Sequence, residues 1–403
     1  MSLNLSNLNA IIEAQLAAAD SNTSASSLVR LLSAIEERDI QAIKPIYDSA
    51  SLLPILESVH TGMIFSTVRS GPHVWTGSEW IVIDSDGLGT LPPPPPYTIG
   101  GTVSGYISGG MEVSPGSLSS IINKFPFASN GNSVNVGYLV NARADPVGIS
   151  SPTYGYTIGG RWILQTGAPA ALTGVDKFPF AADGNAVHVR YLSTYRGNGH
   201  GMNNETTAYL TGGRNRTQPW GPASTTGTIE KFEFASDTDA SLTIGNTTGI
   251  INGVGLSSAT TGYQVGGSNS YGSENVIMKY PFAMSGGYAS YGGQLTEKRQ
   301  SAVGCQSAEN GYIVAGFYTT PNSSNSWRGN ISKFNFASEG IASNYGGIAY
   351  STGGYQAGSS SETHGFATAG NDYITKFGFA SEANAISIGN LQAPKLYATG
   401  QQF

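Results

Sequence analysis

The chain has 403 residues, of which 54 are Gly and only 11% are charged, whereas globular proteins carry about 25% charged residues. Many Gly, Tyr, Ser, Thr and Asn residues indicate short strands joined by tight turns, and 39% hydrophobic residues argue against a disordered chain. The net charge of −6, without a Lys/Arg cluster, lacks the electrostatic footprint of nucleic-acid binding, so no nucleic-acid partner is expected.

Cys305 is the single cysteine, which excludes a disulfide or a CxxC zinc site within one chain. We interpret it as a small buried apolar residue rather than a nucleophile. The first residues lack the basic and long apolar regions of a signal peptide. No apolar run reaches the roughly 18 residues of a membrane helix. We therefore expect a protein that is made in the cytoplasm and does not insert into a membrane.

Residues 1–60 carry two apolar stripes at helical spacing. Apolar residues recur at i, i+3, i+7 and i+11 from Leu5, and at i, i+3, i+4 and i+7 from Leu28. Such stripes need a partner, so this region is predicted to be a helical anchoring or oligomerisation region. The residues predicted to make the contacts are Leu8, Ile11, Ile12, Leu16, Leu28, Leu31, Leu32 and Ile35.

Residues 61–90 are predicted to form a small β-hairpin adaptor. A strand at 62–66, a turn near 70–72 and a strand at 74–84 make the hairpin. The pattern W-x-G-x-x-W, from Trp75 to Trp80, resembles small modules of bacteriophage fibre and virion proteins. Acidic residues lie close by, but without the spacing of a known calcium loop, so no metal site is predicted.

Residues 91–96 are predicted to be a polyproline linker. Pro92 to Pro96 favour polyproline II and would span about 15 Å at 3.1 Å each. A stiff spacer between two modules is the preferred interpretation, and a ligand of an SH3-type domain is the alternative.

Residues 97–403 contain six copies of the motif Lys-aromatic-x-Phe-Ala. The successive lysines are 53, 54, 48, 54 and 43 residues apart, a regularity that indicates a repeat architecture. The motifs begin at Lys124, Lys177, Lys231, Lys279, Lys333 and Lys376.

Each copy follows a segment of the type Gly-Tyr-x-x-Gly-Gly and precedes a short alternating segment such as Val134/Val136. One unit therefore comprises an aromatic strand, a Gly-Gly turn, a variable loop, the Lys-aromatic strand, an alternating strand and a Ser/Thr-rich return. Three or four strands in about 50 residues is the size of a propeller blade. We take the aromatic strand as the inner one and expect its rings to pack between blades. Pro126, Pro179 and Pro281 predict that the Lys-aromatic segment lies near a sheet edge or bulge.

This pattern resembles kelch repeats, in which an aromatic strand ends in Gly-Gly and an Arg often precedes the next unit. Arg143, Arg196 and Arg299 stand about where that Arg would be. The resemblance implies a mainly β fold, a kelch-like β-propeller. The fragments at 97–101 and 396–400 predict that one end of the chain completes the blade begun by the other. Six blades are favoured, and seven blades or a β-solenoid are the alternatives.

The sequence lacks catalytic signatures. It has no GxxxxGK[ST], no HExxH and no GxSxG with a plausible triad, and its five histidines are dispersed. His200 and His364 are interpreted as structural. We expect no enzyme activity, no cofactor and no metal site.

The loop after each glycine turn varies in length and composition, and equivalent loops of a propeller emerge on one face. Exposed aromatic rings beside Asn, Ser and Arg are typical of sugar- or protein-binding surfaces. The alternative is that these rings pack onto their own blades. The predicted ligand-binding residues are Trp162, Trp220, Tyr271, Tyr318 and Trp327.

The repeat sequence KFPFA-x-x-GN, with a Ser/Thr-rich run before GY-x-x-GG, resembles repeats in structural proteins of cyanobacterial tailed phages. The resemblance implies a fibre or appendage protein located in the virion. Its N-terminal region would contact other virion proteins and form a homo-oligomer, for which a trimer is one choice. Its propeller would face a host-surface glycan or protein, or a neighbouring virion protein. Two other classes stay open: a propeller enzyme acting on glycans, and a cellular kelch-type scaffold.

Overall fold

The computed structural model of this chain describes residues 64–67, 71–75, 80–82 and 100–403, the last range with gaps at 115, 164–168, 216–223, 238–241, 321–322, 349–356 and 370–371. The chain divides into two compact units, residues 1–96 and 97–403. The predicted helices of 1–60, their eight apolar contact residues from Leu8 to Ile35, and the linker 91–96 lie outside the described residues.

The described part of the first unit is a three-stranded antiparallel sheet. Its strands are Ile64–Thr67, Gly71–Trp75 and Trp80–Val82, in that order. The predicted hairpin is present, but the stretch predicted as one long second strand contains two strands. Trp75 stands opposite Trp80 in the register, and the residues between them, Thr-Gly-Ser-Glu, are typical of a turn.

The described part of the second unit contains six sheets with four antiparallel strands each, one of which has a fifth, parallel strand; they are the blades of a β-propeller. From the axis outward, blade 1 comprises Thr399–Gln402, Ser104–Ser108, Ile121–Pro126 and Val134–Tyr138. Blade 2 comprises Val147–Ser150, Tyr154–Ile158, Gly174–Pro179 and Val187–Tyr191. Blade 3 comprises His200–Asn203, Thr207–Thr211, Thr228–Glu233 and Leu242–Asn246.

Blade 4 comprises Val254–Ser257, Thr261–Val265, Val276–Pro281 and Ser290–Gln294, with Gly340–Ile341 added in parallel at its outer edge. Blade 5 comprises Val303–Gln306, Asn310–Val314, Asn330–Asn335 and Ser343–Gly347. Blade 6 comprises Gly358–Ser360, His364–Ala369, Tyr373–Gly378 and Ile386–Asn390.

The ring closes through the last strand of the chain. Thr399–Gln402 pairs antiparallel with Ser104–Ser108, so that Thr399 faces Ser108 and Gln402 faces Gly105. Blade 1 is thus built from both ends of the second unit. The innermost strands are neighbours all the way around, from blade 1 to blade 6 and back. Six blades and closure by a terminal strand, both predicted, are confirmed.

The order of strands within a blade differs from the prediction. The aromatic strand is the second strand, and the innermost strand is a four-residue segment that precedes it, such as Val147–Ser150. Each innermost strand carries a Gly against the backbone of the preceding blade, where a Cβ would collide, as at Gly148 against Gly400. The axis therefore admits only glycine at this position, whereas large rings need the wider space between blades. These glycines are Gly148, Gly201, Gly255, Gly304, Gly358 and Gly400.

Side chains at the end of the innermost strands link the blades into a hydrogen-bonded ring. At five junctions a backbone N–H donates to the side-chain oxygen of the corresponding residue in the next blade, over 2.6–3.1 Å. Because these hydrogen bonds join neighbouring blades, they stabilise the closed ring as well as each sheet. The residues are Asn203, Ser257, Gln306, Ser360, Gln402 and Ser150.

The aromatic residues of the repeat form the interfaces between blades, as predicted. In each blade the ring of the second strand lies on the second Phe of the Lys-aromatic motif in the next blade, with centroids 4.4–5.1 Å apart. The pair Phe366–Phe127 joins blade 6 to blade 1 in the same way. These rings bury large apolar areas, and most of the core lies between the sheets.

The Lys and the terminal GN of the repeat also contact the next blade. Lys124 and Lys177 reach carboxylates of the following turn, Asp183 at 2.9 Å and Asp237 at 2.6 Å. The side-chain oxygen of Asn185 accepts from the backbone N–H of Tyr138 in the preceding blade. The Lys-aromatic strand is the third strand; it is interior rather than at the sheet edge, but it contains an irregularity of register of the bulge type, the other alternative of the prediction. Its Pro lies beyond the last residue that pairs with the outermost strand.

The three arginines that match the kelch pattern are buried, and each contacts the blade that follows it in the sequence. Arg143 binds Asp176 at 2.6 Å and Arg196 binds Glu230 at 2.8 Å, all with side chains at most 1% exposed. Arg299 donates to the Ser332 hydroxyl at 2.9 Å. At the same two positions blade 1 uses Lys395 with Asn123 at 2.8 Å, and blade 4 has Ile250 and Met278.

The two ends of the propeller differ in what they carry. We call the end with the second-to-third-strand connections the loop face, and the other end the turn face. On the loop face the described connections contain short strands that pair with the segment before the innermost strand of the same blade. These strands are Met111–Glu112 with Lys395–Leu396, Arg161–Ile163 with Pro169–Ala171, Arg214–Asn215 with Ser224–Thr225, Ser268–Asn269 with Gly272–Ser273, and Lys298–Gln300 with Phe317–Thr320 and Ser323–Trp327.

Candidate functional site

The loop face holds the aromatic residues predicted to bind a ligand, but only two of them are exposed. Trp162 is 45% exposed and Tyr271 is 94% exposed. Tyr318 is 2% exposed, with Arg299 4.3 Å and Arg328 5.1 Å from its ring centroid. Trp327 packs on Phe317 at 5.3 Å. Tyr318 therefore offers no surface to a ligand, and Trp220 lies outside the described residues.

The mouth of the axis opens on the same face as a cavity of about 170 Å³. Its wall consists of the segments that precede the innermost strands, and its floor is the ring of six glycines. The same six glycines also line a smaller cavity of about 70 Å³ on the turn face, so the ring of glycines lies between the two cavities.

One residue in each of five described wall segments has left-handed backbone. Asp145, Asn198, Asn252, Ser301 and Tyr397 have φ between 54° and 59°. Their backbones are linked from blade to blade: the Asp145 N–H donates to the Tyr397 carbonyl at 2.8 Å, and the Asn198 N–H to the Asp145 carbonyl at 3.0 Å. Asn, Asp and Ser suit this conformation, whereas a bulky Tyr does not.

A charged cluster lies where blade 1 meets blade 2. The Nε of Arg161 donates to the Asp145 carboxylate, and the guanidinium carbon lies 5.0 Å from the Tyr397 ring centroid. Burial raises the pKa of Asp145, while Arg161, Asn198 and the more distant Arg214 act in the opposite direction. The cluster joins the Asp145 carboxylate, the Arg161 guanidinium and the Tyr397 ring, and Asp145 and Tyr397 line the cavity.

His200 lies in the innermost strand of blade 3, where blades 2, 4 and 5 have Val. Its Nε2 accepts a hydrogen bond from the Gly253 N–H at 2.9 Å. Burial, with a smaller contribution from Arg196, lowers the pKa of His200 to about 3. The Nδ1 of His200 is buried and has no hydrogen-bond partner among the described residues, so only one of the two ring nitrogens is paired.

The buried His200 makes stability depend on pH. The unfolded chain binds a proton at this residue below pH 6.5, whereas the folded chain does so only near pH 3, so stability is lost as the pH falls through this window. Between pH 7.5 and 5, wild type should lose about 2 kcal/mol more than His200→Val. Urea unfolding of both proteins at the two pH values measures this difference. If the free energies of unfolding of wild type and variant changed equally with pH, His200 would not have the lowered pKa described here.

The described part of the chain contains no helical segment with the length and hydropathy of a bilayer span. Within the same residues, no group of three His, Cys, Asp or Glu side chains is arranged to hold a metal ion. Burial raises the pKa of Cys305 to about 12, so its thiol is a poor nucleophile.

The sequence did not identify the cluster at the mouth. Asp145 and Tyr397 occupy the same position in successive units, two residues after Arg143 and Lys395. Aligning the units on that basic residue brings Asp145, Asn198, Asn252, Ser301 and Tyr397 into one column. That alignment is the signal that could have found the wall of the cavity.

Comparisons with known proteins identify the fold. No family model matches this sequence, and no curated protein matches it significantly. Among solved structures, that of YjhT, a kelch-type propeller, superposes with a TM-score of 0.54 at 9% identity, covering 73% of this chain and 98% of YjhT. In all, 286 solved chains match. A fold shared this widely supports many functions, so these similarities show the fold and leave function to the site.

Proposed function

We propose that this chain is a non-enzymatic fibre or appendage protein of a bacteriophage virion, whose propeller binds a host-surface glycan through its loop face. The observation that carries the proposal is a separation of the two faces. The described length-variable loops and the larger of the two axial cavities open on the loop face, while Gly101, near the start of the propeller, is bound on the turn face.

The entry point is fixed by contacts with blade 6. The Gly101 N–H donates to the Ser360 carbonyl at 2.8 Å, and Gly101 bridges Ser361. Both serines lie where the innermost strand of blade 6 turns into its second strand, which is on the turn face. The loop face is thus the end of the propeller opposite to the end that binds Gly101.

The repeat motif leaves the loops free to vary. Its Lys, aromatic and GN residues serve the contacts between blades, and its Gly-Gly supplies the turn with positive φ at the end of the second strand. The loops that follow these turns lie outside this conserved framework. A rigid scaffold with variable loops on one face is typical of binding proteins.

The exposed rings on this face suit a carbohydrate. Trp162 lies in the first paired strand of the blade 2 loop. Tyr271 stands at the tip of the blade 4 loop, where its backbone N–H donates to the Asn269 side chain at 2.8 Å. Aromatic faces beside polar groups stack on the apolar faces of sugars while the polar groups bind hydroxyls.

The test is binding of the labelled full-length chain to host cells, with competition against phage adsorption. The double variant Trp162→Ala/Tyr271→Ala should bind at least about tenfold more weakly, because aromatic anchors carry a large share of interface energy. Tyr288→Ala/Tyr291→Ala is the matched control, since these tyrosines are 80% and 60% exposed but lie at the outer edge of blade 4.

Loss of binding in the first variant alone supports the loop face as the receptor-binding surface. Equal loss in both variants, or none in either, contradicts that role. If wild type neither binds cells nor blocks adsorption, the propeller does not bind the host, and a neighbouring virion protein becomes the candidate partner.

A further inference from the structure

We propose that a cavity on the turn face, between blades 4 and 5, binds a short protein segment through one aromatic side chain that has a basic residue beside it. The turn face is the end of the propeller opposite to the loop face, so this inference does not depend on the binding of a glycan. It is carried by the lining of the cavity, by the rings that the chain places at equivalent positions of other blades, and by the charge of the lining residues.

The cavity between blades 4 and 5 has a volume of about 690 Å³. Blade 4 contributes residues 258–261, the turn from its innermost to its second strand, and Lys279 of its third strand. Blade 5 contributes Glu309 of the corresponding turn, together with residues 335–337 and Glu339. The volume lies within the roughly 300–1,000 Å³ of ligand sites. A single aromatic ring would leave most of this space unfilled, whereas a ring with the backbone and neighbouring residues of a protein segment would occupy it.

Two other junctions between blades hold a ring of the chain itself at the equivalent place. Between blades 2 and 3, Tyr154 packs against the core, and the Nζ of Lys177 lies 4.7 Å from its ring centroid. Between blades 1 and 2, Phe403 stacks on Phe180 with ring centroids 5.3 Å apart and an interplanar angle of 24°. The end of a junction on the turn face is therefore a place where this fold accommodates an aromatic side chain.

Blade 4 has small residues at the two positions that supply these rings. Thr261 begins its second strand, as Tyr154 does in blade 2. Ser258 follows its innermost strand, as Phe403 follows that of blade 1. Both residues line the cavity. At the junction of blades 4 and 5 an aromatic side chain would thus have to come from another molecule.

The groups that contact those rings are nevertheless present at this junction. Lys279 has the same place in the repeat as Lys177, and Phe336 has the same place as Phe180. Lys279 and Phe336 both line the cavity. An ammonium group over the face of a ring and a neighbouring ring both favour an aromatic side chain over an aliphatic one. The class of residue that this cavity prefers is therefore aromatic.

The charges of the lining residues favour a basic residue beside the aromatic one. The charged lining residues are Lys279, Glu309 and Glu339, with a net charge of −1. Lys279 pairs with Glu339. Glu309 is exposed, and its carboxylate forms no ion pair with the part of the chain that the structure describes. A Lys or Arg next to the bound ring would supply the complementary charge, which contributes mainly to the choice of partner.

The experiment titrates the full-length chain with the capped peptide Gly-Tyr-Lys-Gly, followed by saturation-transfer NMR. This peptide should bind about fivefold more tightly than an analogue with Leu in place of Tyr, and about threefold more tightly than one with Glu in place of Lys. Thr261→Tyr should abolish binding, because its ring would take the place that Tyr154 has in blade 2. Thr261→Val is the matched control and should bind like wild type, since its side chain has the size of Thr. Glu309→Gln should remove the preference for Lys over Glu.

The proposal is overturned if the Tyr peptide does not bind, if the Leu analogue binds equally well, or if folded Thr261→Tyr keeps wild-type affinity. Thermal melting shows whether each variant is folded. If Thr261→Tyr does not fold, Glu309→Gln decides, and an unchanged preference for Lys over Glu overturns the proposal. If N-acetyl-tyrosinamide binds as tightly as the peptide, the cavity is a site for a small aromatic molecule and not for a protein segment. Cell binding by the loop face is measured separately, so either proposal can fail without the other.

Discussion

Deleting residues 399–403 is expected to abolish cooperative folding of the propeller. The deletion removes the innermost strand of blade 1 and exposes the edge of Ser104–Ser108. It also removes Gln401, which bridges Ser108 at 2.9 Å and the Tyr156 carbonyl of blade 2 at 3.0 Å. An open ring has two unpaired blade surfaces in place of one closed interface. Thermal circular dichroism of the full-length and deleted chains should show a sharp transition only for the former.

A circular permutant provides the control for this deletion. The carbonyl of Phe403 accepts hydrogen bonds from the N–H groups of Val103 at 2.6 Å and Ser104 at 2.9 Å, so the chain end lies beside the first strand. Moving residues 395–403 ahead of residue 100 through a short linker should keep the strand and the transition. A deleted chain that melts like wild type would mean that five blades and an incomplete sixth suffice.

Replacing Arg196 by Met is expected to destabilise the protein by about 3–5 kcal/mol. The substitution leaves the Glu230 carboxylate buried without its cation, and both side chains are at most 1% exposed. Arg196 also donates to the Gly212 carbonyl at 2.7 Å, which would lose this partner. Urea unfolding of wild type and variant at neutral pH measures the free-energy difference.

Blade 4 supplies the matched control for the ion pair. It has Ile250 and Met278 where blade 3 has Arg196 and Glu230. The double variant Arg196→Ile/Glu230→Met therefore places in blade 3 the same residue pair that blade 4 has. Replacing a whole buried pair by apolar residues is often close to neutral, and at least half of the lost stability should return. A double variant as unstable as the sum of the single changes would show that the pair itself is required.

The repeat made the architecture predictable because its most regular residues are those that join one blade to the next. Six Lys-aromatic motifs imply six interfaces, and the incomplete units at the two ends imply closure. The innermost strand was missed because it has four residues and a central glycine, which is ordinarily a turn signal. Its regularity is nevertheless visible: Gly148, Gly255 and Gly304 each precede the Gly of the aromatic strand by seven residues.

The candidate site was less predictable because folding brings together residues from distant parts of the chain. Asp145 and Arg161 are close in sequence, but Tyr397 reaches them only when the ring closes. Exposure of loop aromatics depends on which neighbours cover them, and the arginines that cover Tyr318 come from two different segments. Variation among the repeats gives one further signal, because two positions that are in contact change together. One blade has Arg143 with Asp176 at these positions, whereas another has Ile250 with Met278.

The composite blade also determines how the propeller bears mechanical load. A force transmitted through residue 100 enters the strand Ser104–Ser108, which has a paired strand on either side, Thr399–Gln402 and Ile121–Pro126. A pull along that strand shears two rows of hydrogen bonds at once instead of peeling them apart one at a time. A load applied through residue 100 would therefore be resisted by the first and last strands of the propeller together.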